Sequence, residues 1–223
     1  MEERYIRNLP AFSEAECETL RKKRVAVIGC GGLGGYIIEL LARVGVGYII
    51  AVDGDVFEVS NLNRQLLSKT DTLGKSKAET AAQRVSEINP DVTVQAVREF
   101  LSETNAEAVI GGCDAVFDAL DNIETRRILA KACKMAGIPY IYGAIEGWRA
   151  QAAVIMPEND TISMLYPEGA ELKSKSSLSF IPAFCASVQV SLGVKLLAGR
   201  ETETGKLYYF DLLELDTEEI MMG

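Results

Sequence analysis

The sequence predicts an α/β fold: a doubly wound, mostly parallel sheet extended by antiparallel strands near the C-terminus. Three observations predict it. An apolar run, Val25–Ile28, leads into Gly29-Cys30-Gly31-Gly32-Leu33-Gly34. Apolar residues then recur at helical spacing over Tyr36–Val44, and a second apolar run, Tyr48–Val52, closes on Asp53. Strand, glycine turn, helix, strand and acid form the mononucleotide-binding βαβ unit of Rossmann-like sheets. Short apolar runs keep alternating with helical patterns as far as Ala144, the mark of parallel strands joined by crossover helices. Beyond Ala144 strand-like runs succeed one another more closely, as antiparallel neighbours do.

Taken in order, residues 1–12 read as an irregular arm around Arg4, Tyr5, Ile6, Arg7 and Asn8. Ser13 and Glu16 give a capping-box start to a helix that runs to about Lys23, so arm and helix together span residues 1–23. After Asp53 the stretch to Thr72 is too polar and irregular for a core strand and reads as loop. A helix opens at Lys75-Ser76-Lys77 and runs to about Ile88, with Ala78, Ala81, Ala82 and Val85 on one face. Asn89-Pro90-Asp91 is a turn, and Val92–Val97 alternates as a third strand. Thr104–Ile110 is a short helix stopped by Gly111-Gly112, and Ala115–Ala119 a fourth strand. Ile123–Ala136 is a helix closed by Gly137, and Pro139–Ala144 a fifth strand. Arg149–Met156 reads as a strand and Thr161–Leu165 as another. Tyr166–Ser179, with Lys173 and Lys175, reads as a mobile lid or crossover loop (166–179). Ile181–Leu197 is a long apolar helix ended by Gly199, and Leu207–Leu215 gives one strand or a bent pair. With no linker, repeat or low-complexity tract to divide it, 1–223 is expected to form one domain.

Bulk properties narrow the chemistry. A net charge of −9 disfavours nucleic acid as a partner, because a phosphate backbone is repelled without a local basic patch. The N-terminus has acids first and no apolar core, so it does not read as a signal peptide. No apolar stretch is expected to approach the roughly 18 residues of a membrane span. Five scattered cysteines, Cys17, Cys30, Cys113, Cys133 and Cys185, form no C-x-x-C pair, which fits a reduced, cytoplasmic protein. The chain has no histidine, so Ser-His and Cys-His mechanisms are excluded. Its chemistry must rest on carboxylates, lysines, arginines, thiols and the substrate's own groups.

In doubly wound sheets ligands bind beyond the carboxyl ends of the strands. Gly29–Gly34, Asp53, Asp121 and Gly143–Ala144 all fall at such ends. Glycines let the backbone turn tightly against a phosphate, and the next helix offers unpaired N–H groups to it. Asp53 can accept from ribose hydroxyls. The unit does not by itself choose the nucleotide.

Residues beyond the second strand are more specific. Asp53-x-Asp55, Ser60-Asn61-Leu62-x-Arg64-Gln65, Gly74-x-x-Lys77 and Asp118-x-x-Asp121-Asn122 together resemble the ThiF/MoeB/HesA family, adenylating enzymes related to ubiquitin-activating enzymes. Arg4-Tyr5-x-Arg7 and the helix end Lys195-Leu196-Leu197-Ala198-Gly199 extend the resemblance over most of the chain. It implies a homodimer that uses ATP and Mg²⁺ to activate the C-terminal glycine of a small ubiquitin-like sulfur-carrier protein ending in Gly-Gly. The product is an acyl-adenylate, and pyrophosphate leaves. By resemblance, Arg64 and Lys77 bind phosphates, Arg7 reaches the neighbouring subunit's phosphates, and Asp121 is the Mg²⁺ carboxylate. Gly29, Gly31, Gly32, Gly34, Asp53, Asp55, Asn61, Gln65, Leu120 and Asn122 complete the implied nucleotide site. Read without the motif, Arg64 and Lys77 would be surface ion pairs, Asp121 the N-cap of the helix at Ile123, and Asn61 a turn residue.

The chain departs from the family pattern in one respect. Many relatives hold structural zinc with two C-x-x-C pairs, but Ile162–Tyr166 and the C-terminal segment have no cysteine, so no zinc is expected. Cys185 lies in a helix rich in small residues and reads as an inert, buried thiol. Three alternatives stay open at this point: an NAD-dependent oxidoreductase, a non-catalytic partner-binding module, and a relative that adenylates a modified tRNA base. The pathway, thiamine, molybdopterin or another, is not legible.

Overall fold

A computed structural model describes residues 3–171 and 176–222 of the chain. Its first strands form where the apolar runs lie: β1 (Arg24–Ile28), β2 (Tyr48–Val52), β3 (Thr93–Val97), β4 (Ala115–Asp118) and β5 (Tyr140–Glu146). These five pair in parallel in the order β3-β2-β1-β4-β5. The sheet then reverses direction through β6 (Arg149–Ile155), β7 (Lys206–Asp211) and β8 (Asp216–Met221), each antiparallel to its neighbour. The result is a mixed sheet of eight strands with β3 and β8 at its edges.

Helices cover both faces, which explains why the central strands read as unbroken apolar runs rather than alternating ones. Along β1, Val25 and Val27 enter one core while Ala26 and Ile28 enter the other. The first core is closed by α2 (Gly32–Val44), α3 (Lys77–Ile88) and α7 (Phe180–Leu197), whose Ile37, Ala81 and Ile181 it contains. The second is closed by α4 (Ala106–Ile110) and α5 (Ile123–Ala136) with Ile110 and Leu129, and by Ile162 of the short helix α6 (Thr161–Leu165). Ser13 and Glu16 make the capping box of α1 (Glu14–Arg21). Ahead of it the arm forms a 3₁₀ helix, Glu3–Asn8, pinned to the C-terminal ends of α2 and α3. Asn89 Nδ2 donates to the Tyr5 hydroxyl at 2.8 Å, and Asn8 Nδ2 to the Val44 carbonyl at 3.3 Å.

Four expectations are corrected. Thr161–Leu165 is a helix, not a strand; five residues are too few for periodicity to separate the two. The helix expected from Tyr36 starts at Gly32, because the glycines that disfavour a helix by propensity are needed in its first turn. The C-terminal run is two strands, and the second extends to Met221. Finally, α7 does have the length and mean hydropathy, 1.6 over 18 residues, of a membrane span. It is a core helix nonetheless, with Ile181, Cys185, Ala186, Val190 and Val194 buried against the sheet and α2. Of the 166–179 loop, Lys173 and Lys175 lie outside the described residues.

The fit of α7 on the sheet depends on missing side chains. Gln189, fully buried, donates from Nε2 to the carbonyls of Asp118 at 2.9 Å and Ile141 at 3.1 Å. A Cβ on Gly143 would collide with that amide. We therefore expect Gly143→Ala to cost about 2 kcal/mol or more, through overpacking and strained buried hydrogen bonds. Urea unfolding checks it, and an unchanged midpoint would show that α7 can slide.

Candidate active site

A cavity of about 680 Å³ opens above the carboxyl ends of β1 and β4, where the strand order reverses direction from the centre of the sheet. That volume suits a nucleotide-sized ligand. Its floor is the glycine turn. Gly29 has φ +98°, and a Cβ there would stand 2.5 Å from the Ala119 carbonyl oxygen; a Cβ on Gly34 would run into the Gly29 carbonyl. These two glycines are demanded by the protein's own backbone. Gly32 is different: a Cβ would meet nothing closer than Pro182 at 3.7 Å and Arg64 at 3.8 Å, so its bareness leaves room at the cavity floor for a ligand. The N-cap of α2, Gly31, brings no side chain to the first N–H groups of that helix.

Asp53 shapes this floor. Its Oδ2 accepts from the Cys30 N–H and its Oδ1 from the Asp55 N–H, both at 2.8 Å. Each oxygen retains a lone pair for a ribose hydroxyl. Gln65 is buried beside Gly31, and its Oε1 has no partner among the described residues, an acceptor suited to a ligand donor.

Two cations enter from one wall. Lys77 is the first residue of α3, and its Nζ lies 3.1 Å from Asp55 Oδ2. Its side chain is only 9% exposed. Lysines are seldom this buried, and this one lines the cavity with a half-exposed acid as its partner. Arg64 lines the cavity and is steadied from its Nη1 by the Ser60 carbonyl at 2.9 Å and Asn63 Oδ1 at 2.8 Å. On the opposite wall Leu120, Asp121 and Asn122 lie just past β4. Asn122, not Asp121, caps α5, accepting from the Thr125 N–H at 2.8 Å. Asp121 is therefore not needed as the cap, and an exposed carboxylate lining the cavity is the kind of oxygen donor that suits a hard divalent cation such as Mg²⁺.

Three sequence-derived candidates do not line this cavity: Gly34, packed beneath it on the Gly29 carbonyl, Asn61 and Arg7. Asn61 is turned into its own loop, where Oδ1 accepts from the Glu58 N–H at 3.0 Å. Arg7 is exposed on the 3₁₀ helix at the far end of α2, about 20 Å of helix away from Gly32. It cannot serve the cavity of its own chain. Conversely, sequence reasoning passed over residues that line the cavity. Phe100, after β3, packs on Gly54 at the rim, while Arg126, Arg149, Gln151, Tyr166 and Tyr209 extend the cavity away from the glycine turn. Arg126 stood four residues past Asn122 with nothing in its spacing to separate it from a helix-surface arginine. It is buried beside Asp118, whose carboxyl is pushed up by burial and partly held back by Arg126, the Leu120 N–H and the Tyr140 hydroxyl.

The geometry has counterparts among known proteins. The ThiF family model matches residues 3–223. The SAMP-activating enzyme E1 of Haloferax volcanii is 37% identical over 208 residues, covering 90% of this chain and 77% of that protein. The sulfur carrier protein ThiS adenylyltransferase of Escherichia coli K12 is 30% identical over 200 residues, 87% of this chain and 80% of the relative. The probable adenylyltransferase/sulfurtransferase MoeZ of Mycobacterium tuberculosis is 35% identical over 231 residues; the match takes in 97% of this chain but only 59% of MoeZ. Among solved structures, E. coli MccB with MccA-N7isoASN superposes at a TM-score of 0.90 with 22% identity, covering 100% of this chain and 72% of that one. At that identity the likeness shows the fold.

A sulfurtransferase among the relatives raises the question of reactive thiols here. All five cysteines are free and buried. Cys185 donates toward the Gln151 carbonyl at 3.3 Å, and burial pushes its thiol up to about 12. Burial likewise lifts Cys133 to about 12 and Cys113 to about 11, and raises Cys30 well above the ordinary thiol range. A disulfide reagent such as DTNB, applied to the native protein at about pH 8, near an ordinary thiol's pKa, should find no rapidly reacting group. All five should react after unfolding. Fast native modification of Cys185 would reopen a covalent role for it.

Proposed function

The chain belongs to the ThiF family, and from that premise we propose that it is an ATP-dependent adenylyltransferase. It activates the C-terminal glycine carboxylate of a small ubiquitin-like sulfur-carrier protein as an acyl-adenylate and releases pyrophosphate. Residues 1–223 act as one adenylation unit, and the working form is a homodimer. The observation that carries the reading is Lys77, a buried lysine at a helix start, lining the same cavity as Arg64, Asp121 and the glycine turn.

The chemistry needs what this set supplies. A carboxylate approaching the α-phosphorus is repelled by the polyphosphate, so attack depends on neutralising charge and aligning the two groups rather than on moving a proton. Arg64 can fork onto phosphate oxygens and Lys77 adds a point charge, drawing partly away from Asp55 as it does so. Asp121 would hold Mg²⁺, which supplies further charge neutralisation on the phosphates. Asp53 and Gln65 would orient the nucleoside. The end of the cavity formed by Ala144, Gln151, Arg149 and Tyr209 lies beyond the nucleotide part and would receive the carrier's tail. The absence of histidine is no obstacle to this reaction.

Two outcomes test the reading. Asp121→Ala and Lys77→Ala should each lower carrier-dependent ATP–pyrophosphate exchange by about a hundredfold or more, with circular dichroism and thermal unfolding close to wild type. Exchange at the wild-type rate in either variant would remove that residue from the site. Arg7, remote from its own cavity, serves the partner's site in this reading. Arg7→Ala and Asp121→Ala proteins, each inactive alone, should on subunit exchange recover about a quarter of wild-type activity, since half the dimers then hold one intact site. Absence of complementation would mean that sites are not shared between subunits.

A further inference from the structure

Arg126 is only 4% exposed, yet it does not fork onto the acid beside it. Its Nε stands 3.5 Å from Asp118 Oδ2 and makes no hydrogen bond. The Asp118 oxygens are taken instead by the Leu120 N–H at 2.8 Å and the Tyr140 hydroxyl at 2.7 Å. A guanidinium kept only to neutralise a buried carboxylate would present two parallel donors to it. Here the donors are spread over three parts of the chain. Nη2 donates to the Leu120 carbonyl, just past β4, at 2.6 Å and to the Gly143 carbonyl in β5 at 3.0 Å, while Nη1 donates to the Tyr166 hydroxyl at 2.9 Å.

Tyr166 is in turn held through both its side chain and its backbone. Its hydroxyl is shared with that of Tyr142 at 2.7 Å, and the two rings meet edge to face with centroids 6.3 Å apart. Arg127, the next residue of α5, donates from Nη2 to the carbonyls of Tyr166 at 2.9 Å and Pro167 at 2.7 Å. Two adjacent arginines of one helix therefore grip the same point of the chain, one through its phenol and one through its backbone.

We propose that Tyr166 is a positioning residue for the Asp121 loop: by fixing one arm of the Arg126 guanidinium it fixes the other, which carries the Leu120 carbonyl. A guanidinium is planar and rigid, so its two arms cannot move independently. The segment that enters the cavity wall at Tyr166 and the loop Leu120–Asn122 are thus set together through one side chain. The inference rests on the reading of Asp121 as a phosphate-side carboxylate, but its physical core, the coupling of two segments through Arg126, stands apart from the activity.

The test uses the full chain and Tyr166→Phe, which keeps the ring and removes only the hydroxyl. Hydrogen exchange followed by mass spectrometry should show amides of 119–122 exchanging about tenfold faster than in wild type, the scale of one lost hydrogen bond to a charged group. Peptides covering β1 and β2 should not change. Arg127→Ala frees only the backbone carbonyls of Tyr166 and Pro167 and leaves the phenol on Arg126, so it should speed exchange at 166–168 and raise it at 119–122 by clearly less than Tyr166→Phe does. ATP binding measured by calorimetry with Mg²⁺ should weaken several-fold in Tyr166→Phe and by less in Arg127→Ala. Wild-type exchange at 119–122 in Tyr166→Phe would overturn the proposal and leave Tyr166 as a wall of the cavity only. A wild-type chain that binds no ATP would sink the adenylation reading, while the exchange comparison would still decide the coupling.

Discussion

The approach of two backbones at the centre of the sheet governs everything above it. Where β1 ends and α2 begins, the Gly29 carbonyl, Gly34 and the Ala119 carbonyl crowd together so closely that no Cβ fits between them. This contact seats the glycine turn directly on the end of β4, at the floor of the cavity. Asp53 then locks the turn by accepting two backbone N–H groups, one on each side of the cleft floor. A carboxylate at this position can accept from ribose hydroxyls. In this chain it also holds the floor in shape before any ligand arrives, a form of preorganisation.

Above the floor, the chain tolerates buried charge that a purely structural design would avoid. Lys77 sits against the sense of its helix dipole with a half-exposed acid for company. Arg126 is deeper, opposite a carboxylate that burial disfavours. For Arg126 burial works against the charge, but Asp118 and the phenols of Tyr142, Tyr166 and Tyr140 outweigh it and hold the guanidinium above the usual arginine range. Replacing such groups by apolar ones would often stabilise a fold. Their presence on two walls of one cavity fits the proposed reading, in which Lys77 faces ligand phosphates while Arg126 holds the surrounding segments in place.

Much of this was legible in the sequence, for identifiable reasons. Strands buried on both faces leave unbroken apolar runs, so β1, β2, β4 and β5 could be read directly, and glycine spacing marked the turn between β1 and α2. Asp53, Arg64, Gln65, Lys77, Leu120, Asp121 and Asn122 all line the cavity, as the motifs implied. What escaped was whatever depends on where a side chain turns. Asn61 stands in the motif but folds back on its own loop, and Arg126 looks from spacing alone like any helical arginine. The identity of α6 was hidden by its shortness, whereas α7 was legible as a helix from its long apolar run, although that composition would suit lipid as well as protein.

The last strand of the sheet has a consequence of its own. Among the described residues, β8 is exposed along its whole length and has no strand beside its outer row of backbone donors and acceptors. Such a row invites another polypeptide to add itself on, molecule after molecule. Asp216, Glu218 and Glu219 line this rim, in a chain already carrying nine surplus negative charges. A second copy sliding in alongside would bring acid against acid. The sheet thus carries its own stop signal, and self-propagating fibres are discouraged by electrostatics rather than by a covering helix.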